Sequence, residues 1–485
     1  MRSAITWKPG SSRTDIMVIK NHIYQTVGER LDGQMNGIAH IDGQTVFVPG
    51  LLPEETAEVR IIKAEKRYAF GRVERLLTES PERRTPSCPC YAKCGGCSGM
   101  HMSYELTLRA KQQAVQDVLR RIGGIDIDVP LPLGMDDPYH YRNKTAMPVA
   151  VKDSLPRAGY YRPRSHDLTP VDSCPLAMSP ADEAVRAVLS WMRAFNVPAY
   201  DEAAKAGLIR HIIIRTNRQG QSMVTIAAAE AAIPHTKELC AALMSVPGVV
   251  SVCQTVNARG DNVILGDSYQ VLAGESRLTD TLCGLSYRLS PLSFFQINPI
   301  QTERLYETAI RFAQLTTADH AADVYCGAGT ISLLAAQKAG HVTGIEIVPQ
   351  AIEDARENAQ RNGIQNADFI CGAAETVLPE LVRNGLKPDV ILLDPPRKGA
   401  DQAVLDAIIA ASPSRIVYVS CDPATLARDL RSLTASGYHV DQVQPVDMFC
   451  WTGHIETVCL LYHQKKDFIS VPYEPKNVEF LQKLS

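Results

Sequence analysis

The sequence lacks any apolar run of the roughly 18 residues that a membrane-spanning helix needs, so no membrane partner is expected. It also lacks an apolar segment near its start. Residues 1–15 are polar, with Pro9, Gly10, Ser11 and Ser12, and read as a flexible extension instead of a secretory leader. A cytoplasmic protein is the resulting expectation. Strong positive charge is missing as well, since the formal net charge is −3. Bulk charge alone therefore does not advertise a nucleic-acid partner. No internal repeat or low-complexity tract is visible. Thirteen cysteines in such a chain do not imply a disulfide framework, and their clustering matters more than their number.

The 485 residues exceed one ordinary core, so two or three domains are expected. Hydrophobic content of 45% with 21% charged residues describes a globular protein. Charge is unevenly spread. Residues 1–170 hold 24 Lys and Arg against 19 Asp and Glu, and the remainder holds 26 against 34. A basic front on an acidic rear is compatible with local phosphate binding, and equally with ordinary surface charge.

Residues 16–78 alternate apolar and polar positions over Ile38–Ile41, Thr45–Val48, Thr56–Lys63 and Tyr68–Leu76, with glycine and proline between, as in a small β-barrel. Ser80–Pro89 reads as a linker. A central region, 79–285, mixes strands and helices, with paired strands at Ile209–Thr216 and Ser222–Ala228. From 286 to 466 strands and helices alternate, which predicts an α/β domain with a parallel sheet and helices on both faces. Residues 467–485 form a tail.

Three strand ends in that last region carry chemistry. Asp323-Val-Tyr-Cys-Gly-Ala-Gly places Gly327 and Gly329 between a strand and a helix, where backbone can approach a ligand. The next strand ends at Glu346, suited to accept hydrogen bonds from ribose hydroxyls. The full GxGxxG pattern is absent, so the glycines alone could mark a tight turn. Asp394-Pro-Pro ends a third strand. A dinucleotide dehydrogenase is the rival fold, and it does not explain that turn. Enzymes that methylate exocyclic amines share the turn but usually follow it with an aromatic residue, where this chain has Arg397.

Cys421 follows the strand Arg415–Ser420, where open α/β sheets hold ligands. Carbon 5 of uracil is a poor nucleophile. A thiolate adding at carbon 6 activates it toward the methyl of S-adenosylmethionine (SAM), and a base must then remove the carbon 5 proton. Cys421 fits the nucleophile and Glu456 the base, although an inert thiol and a solvated strand-end carboxylate are the plainer readings. Cys371 and Cys459 lie inside strand-like runs and read as buried thiols.

Cys88, Cys90, Cys94 and Cys97 lie within ten residues, with Cys174 further on. Such clustering indicates zinc or an iron–sulfur cluster. Cys90, Cys94 and Cys97 also form the C-x3-C-x2-C of radical SAM enzymes, but Gly96 stands where those usually have an aromatic residue. Tyr141-Arg-Asn-Lys, Gly159-Tyr-Tyr-Arg-Pro-Arg and Arg210-His-Ile-Ile-Ile-Arg interleave aromatics and cations. They are candidate RNA contacts or ordinary solvated faces.

Together, Ser293-Phe-Phe-Gln-Ile-Asn, Asp323-Val-Tyr-Cys-Gly-Ala-Gly, Gly344-Ile-Glu, Leu393-Asp-Pro-Pro-Arg-Lys-Gly, Ser420-Cys-Asp-Pro-Ala-Thr-Leu and His454-Ile-Glu-Thr resemble the RNA uracil-5-methyltransferase family over roughly residues 16–465. The resemblance implies a class I SAM-dependent methyltransferase (Rossmann-like) domain, preceded by an RNA-binding TRAM-like barrel and an α+β central domain. It implies SAM contacts from Gln296, Tyr325, Gly327, Glu346 and Asp394, with Cys421 as nucleophile and Glu456 as base. It further implies a [4Fe–4S] cluster on Cys88, Cys94, Cys97 and Cys174, leaving Cys90 aside. A barrel combined with a cysteine cluster resembles the 23S rRNA enzymes, with tRNA as the alternative substrate. A non-catalytic RNA-binding protein on a vestigial SAM fold is the alternative of another class. No obligate protein partner is evident.

Overall fold

The computed structural model describes residues 18–464. The expected extension over residues 1–15 and tail over 467–485 lie outside them.

The first unit is a six-stranded sheet, one strand more than a five-stranded barrel. Its order is Ile23–Val27, Thr56–Ala64, Tyr68–Thr78, Gln44–Pro49, Asn36–Ile41 and Arg30–Leu31. Alternation sets the faces: Val46 and Val48 are fully buried between the partly exposed Thr45 and Phe47. The sheet curls until Thr26 Oγ1 donates to the His40 carbonyl at 3.4 Å, joining its first strand to Asn36–Ile41. The expected linker is anchored. Arg83 pairs with both oxygens of the fully buried Glu55, at 2.5 and 2.6 Å, and the Arg84 N–H bonds to the His101 carbonyl. Composition reads as a linker there, but a buried carboxylate requires a fixed cation.

The central sheet has seven strands, in the order Tyr269–Gly274, Val249–Val256, Ser222–Ala228, Ile209–Thr216, Lys144–Lys152, Leu155–Tyr161 and Leu168–Pro170. The helices Ala181–Ala194 and Thr236–Met244 bury Trp191, Val188, Leu239 and Leu243 in its core. A further helix, Tyr104–Val118, starts on a Ser103 cap whose side chain accepts from the Leu106 N–H. It leads toward the last domain, where Lys111 and Asp447 form an ion pair with both side chains at most 1% exposed.

The last sheet also has seven strands, in the order Ala367–Cys371, His341–Glu346, His320–Val324, Val390–Leu393, Arg415–Ser420, Glu456–His463 and Tyr438–Val446. The first five run parallel, but Glu456–His463 is antiparallel to both neighbours. The sequence predicts a parallel sheet throughout. A strand buried on both faces reads the same in either direction, so its apolar run cannot reveal the reversal. Separate apolar layers cover the two faces, one including Leu305, Ile331 and Ile352, the other Leu378, Ile408 and Leu430.

Candidate active site

Strand order reverses between His320–Val324 and Val390–Leu393. Open α/β sheets bind ligands at the carboxyl ends of strands at such a switch point. The two chemistry-bearing turns lie there, one starting at Tyr325 and the other at Asp394.

Tyr325 has φ 72°, a left-handed conformation uncommon for a non-glycine residue. It is held by its N–H to the Ile345 carbonyl at 3.0 Å. Gly329, φ 79°, caps the next helix, and a Cβ there would lie 3.1 Å from Ala355 Cβ and 3.2 Å from the Phe369 ring. Glu346 is oriented by two backbone donors, Gly327 N–H at 3.1 Å and Val348 N–H at 2.9 Å. An ionised carboxylate has about four acceptor sites, so room remains for two hydroxyls. Asp323 is buried. Ser332 Oγ donates to its Oδ2 at 2.5 Å, while Oδ1 has no partner. Burial pushes this carboxyl up to about 7. Gln296 lies on the stretch before the helix Pro299–Ala313, and its carbonyl accepts from Asn143 Nδ2 at 2.9 Å.

The Asp394 turn is clamped by the helix Pro423–Ala435. Thr425 Oγ1 donates to the Arg397 carbonyl at 3.3 Å and Arg428 Nη2 to the Lys398 carbonyl at 3.0 Å. Asp429 accepts from the Ala400 N–H at 2.8 Å and from the Tyr418 hydroxyl at 2.6 Å. The turn after one strand and the helix after the next are therefore tied together.

Antiparallel register aligns the remaining pair. Ser420 faces Thr457 across the ladder, so Cys421 leaves its strand where Glu456 enters the next. Cys421 is half-buried and Glu456 only 3% exposed. Burial pushes the Glu456 carboxyl well above its usual range, and Asp394 adds to this while Arg397 opposes it. Burial, then Glu456 and Asp394, push the Cys421 thiol up to about 11. Asp394 itself is raised to about 7 by burial and Asp323. Burial thus favours the neutral forms of Glu456 and Asp394. A positive ligand would favour the ionised forms of both acids.

The cysteine cluster forms a second site. Cys97, raised to about 12 by burial, senses Cys174, Cys94 and Cys88 in turn, Cys94 senses Cys174, Cys88 and Cys90, and Cys90 senses Cys88. Cys90 points its thiol at the Pro170 carbonyl, 3.6 Å away. Among the described residues, no set of three or more His, Cys, Asp or Glu side chains is disposed to hold a single metal ion. The cysteine loop reaches the other site through Trp451, whose carbonyl accepts from the Ser98 and Gly99 N–H groups at 2.9 Å each.

Some expectations fail. Cys371 is exposed at the end of an edge strand, whereas Cys459 is fully buried as expected. Tyr141, Arg210 and Arg215 are buried, with Tyr141 donating to the Cys450 carbonyl at 3.1 Å, whereas Arg142 and Lys144 are partly exposed and Arg162 and Arg164 exposed. Sequence reasoning singled out no role for Phe294, although its ring is 73% exposed two residues from Gln296. The signal was an apolar residue beside a polar site, which a sequence alone does not distinguish from core.

The fold and this pocket define a SAM-dependent methyltransferase. The model of the tRNA (Uracil-5-)-methyltransferase family matches residues 251–464, and the TRAM domain matches residues 27–73. A Clostridium tetani protein described as an uncharacterized RNA methyltransferase is 44% identical over 458 residues, covering 94% of this chain and 100% of its own length. A similarly described Halalkalibacterium halodurans protein is 44% identical over 93% of this chain and 99% of its own. The chain belongs to this family of RNA uracil-5-methyltransferases. The structure of the Pyrococcus abyssi tRNA (uracil-54, C5)-methyltransferase in complex with S-adenosyl-L-homocysteine shares the fold. Its TM-score is 0.72 with 24% identity, covering 90% of this chain and all of that one.

Proposed function

We propose that this enzyme methylates carbon 5 of a uridine in 23S rRNA through a covalent adduct of Cys421. The observation that carries the reading is the register that sets Cys421 beside Glu456, with Asp394 acting electrostatically on both. SAM supplies an electrophilic methyl group and a positive charge. Gln296, Tyr325, Gly327, Glu346 and Asp394 would hold it, with Glu346 receiving the ribose hydroxyls. Asp323 Oδ1, buried without a partner beside the glycine turn, fits a site that expects a polar ligand. The Cys421 thiolate adds to carbon 6 of the uracil ring. Methylation at carbon 5 leaves a saturated ring bound to Cys421. Glu456 takes the carbon 5 proton, and the carbon–sulfur bond breaks to restore the ring and the thiolate.

The reading extends to the cysteines. Cys88, Cys94, Cys97 and Cys174 are soft thiols close enough to influence one another, and Cys90 influences Cys94 as well but directs its thiol at the Pro170 carbonyl. We assign those four thiols to a [4Fe–4S] cube, a group that four cysteine thiolates hold. Bound there, the cluster would act as a structural brace for the cysteine loop, because polar methyl transfer moves no net electron.

The 23S assignment rests on the TRAM domain and the cysteine cluster occurring in one chain. Cells lacking this protein should lose 5-methyluridine from 23S rRNA in nucleoside mass mapping. Loss from tRNA, with rRNA unchanged, would replace the substrate while leaving the chemistry intact.

A further inference from the structure

Two of the basic stretches in the sequence meet in the central sheet. Lys144, at the start of Lys144–Lys152, lies directly opposite Arg215 of Ile209–Thr216 in antiparallel register. Like charges in that relation destabilise a sheet. Burial makes the arrangement costlier. Arg215 is 4% exposed, with Nη2 donating to the Ser293 carbonyl at 2.6 Å and Nη1 buried without a partner. Burial, Arg215 and Arg142 together push the Lys144 ammonium down to about 7. The charged groups facing Lys144 are thus both cations. Asp280 faces Arg215, but its Oδ1 already accepts from the Arg218 and Thr281 N–H groups at 3.2 and 2.9 Å.

Lys144 thus faces two cations and no acid, which is explained most simply by an anion that arrives from outside. Lys144 is only partly buried, so a ligand can reach it. The surroundings indicate which anion. Arg215 holds the carbonyl of Ser293, and the next residue is the exposed Phe294. Asn143, adjacent to Lys144, binds the other side of that stretch, with its N–H to the Ile297 carbonyl at 2.8 Å and Nδ2 to the Gln296 carbonyl at 2.9 Å. Cations beside an exposed ring are the pattern by which proteins hold unpaired nucleotides, phosphate on the charge and base on the ring.

We infer that Lys144 and Arg215 seat a backbone phosphate of the RNA substrate next to the Ser293–Gln296 stretch. This rests on the chain acting on RNA, and it assigns a contact within that reading. A phosphate would return Lys144 to its protonated form, so binding takes up a proton near neutral pH. The methionine carboxylate of SAM is the other anion available, and the experiment separates the two.

The probe is a fluorescein-labelled dodecamer of uridine, with full-length protein, followed by polarisation at pH 6.5 and 8.5 over a salt series. Binding of S-adenosyl-L-homocysteine is measured in parallel by calorimetry. Wild type should bind the dodecamer more weakly at pH 8.5. Lys144→Met should weaken binding about tenfold at pH 6.5 and flatten the log–log salt slope by about 0.7, the share of one phosphate on a single strand. Its affinity for S-adenosyl-L-homocysteine should not change, which also shows that it folds. Lys144→Arg should keep the affinity and lose the pH dependence. Unchanged RNA affinity and salt slope in Lys144→Met would overturn the inference. So would a loss confined to S-adenosyl-L-homocysteine, which would give the pair to the carboxylate. Neither result touches the uracil reading, which fails separately if wild type transfers no methyl from SAM to RNA.

Discussion

Cys421 stands alone at a strand end among acids, whereas Cys88, Cys94, Cys97 and Cys174 stand together in loops packed with Tyr91, Tyr104, Tyr139 and Trp451. Burial raises the thiol of Cys421 and those of Cys94, Cys97 and Cys174, but the second cause differs. For Cys421 it is Glu456 and Asp394, charges that a substrate can change. For Cys97 it is the other cysteines, charges that a bound metal cluster would neutralise. One environment suits a thiol that reacts and is released, the other thiols that stay ligated. The two are physically joined. The segment 447–455 is tied to the cysteine loop through the Trp451 carbonyl, to the helix Tyr104–Val118 through Lys111, and ends at Glu456. A disturbed cysteine loop should therefore reach Glu456 before it reaches Cys421.

The largest effect expected is at Cys421 and Glu456, the pair proposed to react. Cys421→Ala should lower methyl transfer by on the order of 10⁴-fold while RNA and SAM still bind. Glu456→Gln should stall later, because an amide cannot take the carbon 5 proton. Methyl-labelled SAM should then mark an RNA–protein adduct that survives denaturing electrophoresis. Normal turnover by Glu456→Gln would remove it as the base. A labelled adduct in Cys421→Ala would move the nucleophile elsewhere, with Cys326 beside the glycine turn the first to test.

The next effect belongs to the other thiols. Anaerobically purified protein should carry about four irons per chain. Cys88→Ser and Cys174→Ser should each lose them, and Cys90→Ser should retain them. Iron that depends on Cys90 and not on Cys88 would restore the C-x3-C-x2-C pattern and undo the comparison.

Smaller again is the cofactor side. Glu346→Ala should weaken SAM binding by about 1.5–3 kcal/mol, the range for hydrogen bonds to a charged group. Iron content and RNA affinity should not move. Unchanged SAM affinity in calorimetry would mean that the carboxylate oriented by Gly327 and Val348 serves some other ligand.

How much of this could be read from residues alone depended on where the constraint lies. The strand Arg415–Ser420 was predicted to its ends because a run of Ile416, Val417, Tyr418 and Val419 buried on both faces is a local property. The helix Ala374–Arg383 was missed because Pro379 inside it breaks the local pattern, and packing overrides that break. Tyr104–Val118 was missed because Lys111 reads as a surface residue. Its burial depends on Asp447, 336 residues away. The positions of the glycine turn, Glu346, Asp394 and Cys421 at strand ends were legible because each follows or closes a short apolar run, a local property. The opposition of Lys144 and Arg215 was not visible, since register between distant strands is set by the whole sheet.

The smallest expected effect isolates what the acids do to Cys421. Asp394→Asn keeps the shape of the turn and removes a charge. One upward push on the Cys421 thiol is lost with it. Alkylation of Cys421 by iodoacetamide at pH 8 should therefore speed up, while Cys97, which does not sense Asp394, should react as before. Stability should change in a defined direction. The Asp394 carboxyl rises from 3.8 to about 7 on folding. Its contribution to stability is present below the unfolded value, lost as pH rises through the folded value, and absent above it. Asparagine does not titrate, so the variant escapes that loss. Relative to wild type it should gain stability between about pH 4 and 7 and hold the gain at pH 8. The size should be on the order of 1 kcal/mol once water at the pocket mouth is allowed for. Methyl transfer should fall at the same time, because an asparagine cannot balance a cation in the pocket. Denaturant curves at pH 4.5 and pH 8 read the difference directly. A variant that loses stability relative to wild type as pH rises would mean that Asp394 is ionised and paired in the free enzyme. The acids around Cys421 would then be poised for a different partner.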